Sequence, residues 1–328
     1  MGELLSLAGQ NLLTPMILSF ALGLFAAIAR SELSVPEAAA KMMSIYLLFA
    51  IGFKGGVAVA GHGLDEHLIA AMLGGIALSF LIPLLAFGLL RAMTRLSPLD
   101  AAAVAAHYGS ISIVTFVTAS TVLSAQGIAS EGYMVAVAAA MEAPAIVSAI
   151  WLAARSGGRT GQVQMDARLW HEILLNGSIV LLVGAFLIGA VTGEAGLARI
   201  DAFVVAPFQG VLCLFLLDMG IVAGRGLRTA RKVISLGVLS FGIMMPILGA
   251  TLGLGVALLI GLSAGGAALM MTLAASASYI AVPAAMRVAL PAANPSISLT
   301  LALGITFPFN LTFGIPAYTA VAQALIGE

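Results

Sequence analysis

The sequence predicts an all-α integral membrane protein of ten transmembrane helices, arranged as two inverted five-helix repeats, and three observations carry that prediction. Hydrophobic residues make up 61% of the 328 positions and charged residues only 9%, a balance that soluble domains of this length do not have. Ten apolar stretches approach the length that spans a bilayer. Landmarks of the first half also return in the second at a nearly constant spacing.

The apolar stretches lie at approximately 12–29, 42–60, 68–90, 99–123, 133–154, 172–192, 202–223, 233–259, 264–286 and 296–325. The first lacks the basic flank of a signal peptide, and Ala29-Arg30-Ser31 is a poor cleavage site, so it is expected to be retained. Arg30 and Lys41, Arg91 and Arg95, Arg155 with Arg159 and Arg168, the cluster Arg225 to Lys232, and Arg287 all fall on alternate loops. The intervening loops and the termini hold only Arg199, and Lys54 is inside a span. Because Lys and Arg are retained on the cytoplasmic side, both termini are predicted outside. Basic and acidic residues number 14 each, so net charge gives no sign of a nucleic-acid surface. A lone cysteine, Cys213, excludes an intrachain disulfide or a cysteine metal cluster.

The repeat is read from matched landmarks. Gly56 pairs with Gly220, Pro83 with Pro246, Ser110 and Ser112 with Ser276 and Ser278, and Pro144 with Pro308, all at separations of 163 to 166 residues. This divides the chain into a first repeat, 1–155, a short cytoplasmic linker, 156–168, and a second repeat, 169–328. Five helices is an odd number, so the second copy enters the membrane upside down, and the fourth and ninth helices cross at the midplane.

Hydroxyl pairs interrupt those two crossing helices. Lipid satisfies no backbone polar group, so a break there must face protein or a water-filled cavity. If the helices break near Gly109 and near the small residues Ala274 to Ala277, each second half begins with free N–H groups and a partial positive charge. Two such ends converging from opposite sides suit an oxyanion. Singly, each of Ser110, Ser112, Ser276 and Ser278 reads as a packing serine bonded back to its own turn; the symmetric set favours a binding site.

Cation chemistry is argued separately. Glu142, beside Pro144 in the fifth span, is costly in a membrane unless it is paired, hydrated or coordinated, and proline frees a carbonyl one turn earlier. The matched stretch offers Thr306, a freed carbonyl and Asn310. Asp218 is the other intramembrane acid, and a protonated, hydrogen-bonded carboxyl is the competing reading for both. Lys54 matches Asp218 within one residue, but inversion places the two at opposite depths, so Lys54 either snorkels or draws an anion to an outer entrance. His107 reads as a packing histidine with a backbone hydrogen bond.

Several long motifs carry a resemblance: Ala50-Ile51-Gly52-Phe53-Lys54-Gly55-Gly56, Ala106-His107-Tyr108-Gly109-Ser110-Ile111-Ser112, Met141-Glu142-Ala143-Pro144, Leu217-Asp218-Met219-Gly220, Ser276-Ala277-Ser278-Tyr279 and Thr306-Phe307-Pro308-Phe309-Asn310. Nearly end to end, the chain resembles the sodium-dependent bicarbonate transporter family first associated with cyanobacteria. The resemblance implies core and gate domains, a homotrimer, and sodium-driven uptake of bicarbonate across the plasma membrane, with sodium as coupling ion and no other cofactor. It carries a substrate site onto Gly109, Ser110, Ile111 and Ser112 and onto Ser276, Ala277 and Ser278. The cyanobacterial members have a longer central segment and are inhibited by a PII-like regulatory protein. Here that segment is only about Arg155 to Trp170, which leaves a PII-like partner open. A sodium-coupled carrier of another small anion and a passive anion channel remain as alternatives. An enzyme has no support, since no metal-ligand cluster, His-acid pair or phosphate loop is visible in the sequence.

Overall fold

The computed structural model describes residues 14–62, 66–155, 175, 177–229 and 235–327, and among them every regular element is a helix. In the first half these are α1 (Pro15–Ile28), α2 (Glu37–His62), α3 (Glu66–Met93), α4 (Pro98–Gly109), α5 (Ile113–Ala125), α6 (Met134–Ala140) and α7 (Pro144–Arg155). The second half holds α8 (Gly177–Val204), α9 (Phe208–Thr229), α10 (Leu236–Ile260), α11 (Ala264–Ala275), α12 (Ala281–Ala289) and α13 (Pro295–Ile326). The expected linker, 156–168, lies outside the described residues.

Eight spans are long and apolar enough to cross a bilayer: α2, α3, α4 with α5, α6 with α7, α8, α9, α10 and α13. Two further apolar helices, α1 and α11, have 14 and 12 residues. At about 1.5 Å per residue they reach roughly 21 and 18 Å, short of the roughly 30 Å hydrocarbon core. Helix α11 stops where Ser276 turns the chain out of the helix.

One span departs from expectation. The apolar run ends near residue 192, but helix continues to Val204 across a bend at Gly193, whose φ of 57° and ψ of −157° are not helical. Glycine meets that conformation without the Cβ penalty other residues carry. Arg30, which follows α1 and lies 163 residues earlier, also has a positive φ, 61°.

Packing divides the helices into two groups. In one, α1 lies along α9 and α2 along α8. A Cβ on Gly56 would overlap the carbonyl of Phe186, and one on Gly189 that of Phe53; likewise Gly220 faces the Phe20 carbonyl and Gly23 that of Leu217. Both interfaces are therefore backbone-to-backbone contacts that only glycine permits, the usual way to bring helices close in lipid. In the other group α3 packs on α4 and α7, and α10 packs on α11, whose far side meets the Ile315–Ile326 end of α13.

The start of each crossing helix is tied to the opposite half. Both carboxylate oxygens of Glu131 cap α11, accepting from the Ser263 amide at 2.7 Å and its hydroxyl at 3.0 Å. Asp100, in the first turn of α4, accepts from the Asn294 amide at 2.8 Å. An 18-residue window of the α4–α5 span is wholly buried inside the protein. That burial is what lets its backbone depart from helix at membrane depth.

Candidate substrate site

The chain leaves α4 and α11 in the same way. Both helices are rich in alanine and small residues and start at serine N-caps, Ser97 and Ser263. They end at Gly109 and Ala275, after which Ser110 has φ −85° and ψ 168° and Ser276 φ −84° and ψ 164°. Serine favours such exits because its hydroxyl competes for nearby backbone groups. Ser276 does this directly, donating to the Leu273 carbonyl at 2.9 Å. Ser112 then caps α5, its hydroxyl accepting from the Thr115 amide at 3.3 Å and from the Thr115 hydroxyl at 2.9 Å.

The two exits cross and bind each other. The Ser112 amide donates to the Ser276 hydroxyl at 2.8 Å, and the Ser278 amide donates to the His107 carbonyl at 2.7 Å. Residue numbers rise along one strand of this contact as they fall along the other, so the segments run antiparallel. Ser110 turns the other way and donates to a carboxylate oxygen of Glu142 at 2.7 Å. A hydrogen bond to a charged acceptor contributes about 1.5–3 kcal/mol, which offsets part of the cost of holding an acid at this depth.

Glu142 owes its position to a local defect. Pro144 has no N–H to continue the helix, and the chain turns through Met141 to Ala143 between α6 and α7. Ser79 of α3 stitches the gap: its hydroxyl donates to the Met141 carbonyl at 2.6 Å and accepts from the Ala145 amide at 3.1 Å. Pro308, the matching proline, is absorbed differently. The helix around it is wound wide, with π-type turns over Thr300–Thr306 and Asn310–Gly314, so α13 stays continuous.

Between the starts of α5 and α12 lies a small cavity of about 10 Å³, walled by Ser112, Ile113, Glu142, Ser278 and Tyr279. It holds about one water. The Ser278 hydroxyl lies a long 3.5 Å from the Val282 amide, and α12 has no side-chain cap of its own. Tyr279 is buried, its ring edge-on to Phe307 at 5.4 Å. Its hydroxyl lies near Ser112 but makes no hydrogen bond of good geometry.

The remaining expected site residues occupy distinct places. Gly109 faces away from the cavity, its Cα against the Pro83 ring and 2.9 Å, measured from an added Cβ, from the Ala145 methyl. Ile111 and Ala277 are buried beside the serines, Ile111 against the cavity itself. Thr306 donates to the Gly242 carbonyl at 2.8 Å and accepts from Tyr108 at 2.6 Å. Asn310 donates to the Ala275 carbonyl at 2.9 Å and accepts from Tyr318 at 2.9 Å. These two form a hydrogen-bonded group apart from Glu142, and Asn310 steadies the last turn of α11. Asp218 is buried in α9, under the charge of Arg225. Lys54 stands over the Phe208 ring, 4.5 Å from its centre. His107 is a packing residue whose Nδ1–H donates to the Ala103 carbonyl at 2.7 Å. Sequence reasoning missed Tyr279, Thr115 and Ser79. Tyr279 stands in the quoted motif directly after Ser278, and its place beside the serine pair is the one signal that was available.

Hydroxyls, helix-start amides and a carboxylate gathered round a small cavity inside a multi-pass helical protein are the construction of a membrane carrier. The chain belongs to the Na+-dependent bicarbonate transporter superfamily, whose family model matches residues 15–323. That family is one of transporters, not enzymes, and membership implies bicarbonate and sodium as the transported solutes. No curated protein matches the chain.

Proposed function

We propose that the protein couples inward sodium flow to bicarbonate uptake across the plasma membrane by alternating access. In this reading ten helices form two inverted repeats with both termini outside. The glycine-seamed group α1, α2, α8 and α9 is the gate, and the helices around the two breaks form the core. Supporting the inverted repeats are the matching exits at Ser110 and Ser276, the antiparallel crossing, and the reciprocal pairings of α1 with α9 and α2 with α8.

The observation that carries the reading is the cavity between the starts of α5 and α12, with Glu142 in its wall. Helix starts present N–H donors and partial positive charge, which stabilise an oxyanion. Ser110, Ser112, Ser276 and Ser278 supply further donors once their present partners are exchanged for substrate. Gly109, Ile111 and Ala277 shape the two exits. Sodium is assigned first to Glu142, with Asp218 as the second acid and Thr306 and Asn310 as neutral oxygen donors on the matching side. A cation beside Glu142 compensates an anion at the helix starts, and this mutual charge compensation is the physical basis of coupling. Homotrimer formation and a PII-like regulator are carried by the family resemblance alone.

Uptake of radiolabelled bicarbonate into vesicles holding the full chain, with and without an inward sodium gradient, tests the reading. Sodium-dependent accumulation above equilibrium is expected. Accumulation without sodium, or equilibration down the bicarbonate gradient, overturns it in favour of an uncoupled pathway. Sodium-driven uptake of another small anion in preference to bicarbonate corrects the substrate alone.

A further inference from the structure

A second, larger cavity of about 340 Å³ lies between α2, α5 and the turn from α8 to α9. On the basic-residue distribution it opens to the outside. Its mouth is polar and exposed at Ser124 and Gln209, and its floor is Phe116, which is 2% exposed. Phe116 stands one turn from Ser112 along α5, roughly 5 Å. The cavity therefore descends one face of α5 and stops a single side chain above the crossing breaks.

Lys54 enters this cavity from α2, and among the described residues it makes no ion pair; its contact is the Phe208 ring. Glu131, the one acid among the described residues of the cavity wall, turns both its oxygens to Ser263 at the start of α11 and not to Lys54. Among the described residues, this half-buried ammonium ion has only a ring for company and no paired countercharge. At the matching place of the other repeat the arrangement differs, because Asp218 there has the Arg225 guanidinium to offset it. One side of the protein thus presents an uncompensated cation above the crossing point, and the other a compensated acid.

We propose that this outer cavity is a second anion subsite, in which Lys54 holds an incoming small oxyanion before it passes Phe116 to the crossing breaks. The inference rests on the carrier reading above and adds a captor residue and a direction to it. An anion beside Lys54 supplies the missing countercharge, and the cavity leaves room for part of its hydration shell. Because the cation on the other side, Arg225, already has Asp218 to offset it, capture by Lys54 lowers the half-saturating concentration for entry and not for exit.

Initial rates of bicarbonate entry at a fixed sodium gradient, and of exit from preloaded vesicles, are compared for the full-length wild type, Lys54→Met and Lys54→Arg. Lys54→Met is expected to raise the half-saturating concentration for entry about ten-fold, equivalent to about 1.4 kcal/mol, with exit unchanged. Lys54→Arg keeps the charge and should stay near wild type. Equal effects on entry and exit, or none, overturn the proposal. A second measurement needs no transport: acylation of the Lys54 amine by a membrane-impermeant reagent, followed by mass spectrometry, should be slowed by bicarbonate in the wild type and equally in Ser276→Ala. Absence of protection also overturns the subsite. Failure of sodium-driven uptake in the wild type would instead remove the carrier reading, while amine protection would still decide whether the cavity binds an anion.

Discussion

The break between α4 and α5 takes three residues, Ser110 to Ser112, and the one between α11 and α12 takes five, 276–280, although the chain enters both with nearly the same backbone angles. The difference lies in how helix resumes. Ser112 caps α5 at once through Thr115. In the second break Ser278 reaches the Val282 amide only at 3.5 Å, and Pro283 contributes no amide to the first turn of α12. The first break restarts helix with its own side chain, while Ser110 and the Ser112 amide are also tied to Glu142 and Ser276. The second is held from outside, by Asn310 on the Ala275 carbonyl and by the His107 carbonyl on the Ser278 amide. In the alternating-access reading proposed above, a half whose helix restarts under its own cap is the fixed wall, and a half whose helix restarts without one is the adaptable wall.

Gly109 gives the largest effect with which to break this comparison. The first break is wedged against α3, where even a methyl group at Gly109 would strike the Pro83 ring, whereas Ala275 already carries one at the matching place. Gly109→Leu should abolish bicarbonate uptake, and Gly109→Ala should impair it severely. Ala275→Gly should be tolerated at a cost of about 1 kcal/mol in helix stability. Uptake normalised to protein level in the membrane checks all three. Equal tolerance at both positions would mean that the two walls are equivalent.

Next in size is the acid that belongs to the first break alone. Glu142→Gln keeps an oxygen for Ser110 but removes the charge, so sodium activation of uptake should be lost while the protein still reaches the membrane. Asp218→Asn should shift the sodium half-saturation less, since Asp218 is in α9, outside the cavity. Unchanged sodium activation in Glu142→Gln would return that residue to a structural role and make Asp218 the next candidate.

The serines come third. Ser276 bridges the two breaks by accepting from the Ser112 amide, and Ser110 ties the first break to Glu142. Loss of a donor to a charged acceptor costs about 1.5–3 kcal/mol, so Ser276→Ala should raise the half-saturating bicarbonate concentration about ten- to a hundred-fold. Ser110→Ala should change sodium and bicarbonate half-saturation together, because its present partner is the carboxylate. Wild-type affinities in both variants would make the serines packing residues.

Much of this was legible in the sequence because it rests on side-chain type. Apolar length marked the eight long spans, and the paired serines and Pro144 marked where helix fails, whereas Pro83, Pro246 and Pro308 lie within continuous helix. Glu142 declared itself by being an acid among apolar residues. What was not legible is carried by backbone or by geometry. The His107 carbonyl that receives the Ser278 amide has no residue signature, since every residue but its side chain would serve. The helix past Gly193 was hidden because glycine and Glu194 end an apolar run without ending the helix. Thr306 and Asn310 suit a cation by residue type, and in this structure their polar groups bond Gly242, Tyr108, Ala275 and Tyr318. Hydroxyl and amide groups suit hydrogen bonding and ion coordination equally, and spacing alone does not choose between them.

Tyr279 gives the smallest and most diagnostic effect. Its ring is fixed by Phe307, and Phe307 in turn is edge-on to Phe20 of α1 at 5.4 Å, so the aromatic contact reaches from the adaptable break to the opposite helix group. The hydroxyl at the end of that ring is buried without a good partner, although a buried, unsatisfied polar group costs about 1–3 kcal/mol. Tyr279→Phe keeps the ring and removes only the oxygen, so thermal stability in detergent should stay the same or rise. If the hydroxyl serves the anion, bicarbonate half-saturation should rise about ten-fold, the low end of the roughly 1.5–3 kcal/mol for a hydrogen bond to a charged acceptor. Stability and affinity then move in opposite directions, a combination that a packing role cannot produce. A loss of stability with unchanged affinity would make Tyr279 part of the aromatic scaffold, and would leave the adaptable wall with Ser276 and Ser278 as its only side-chain donors.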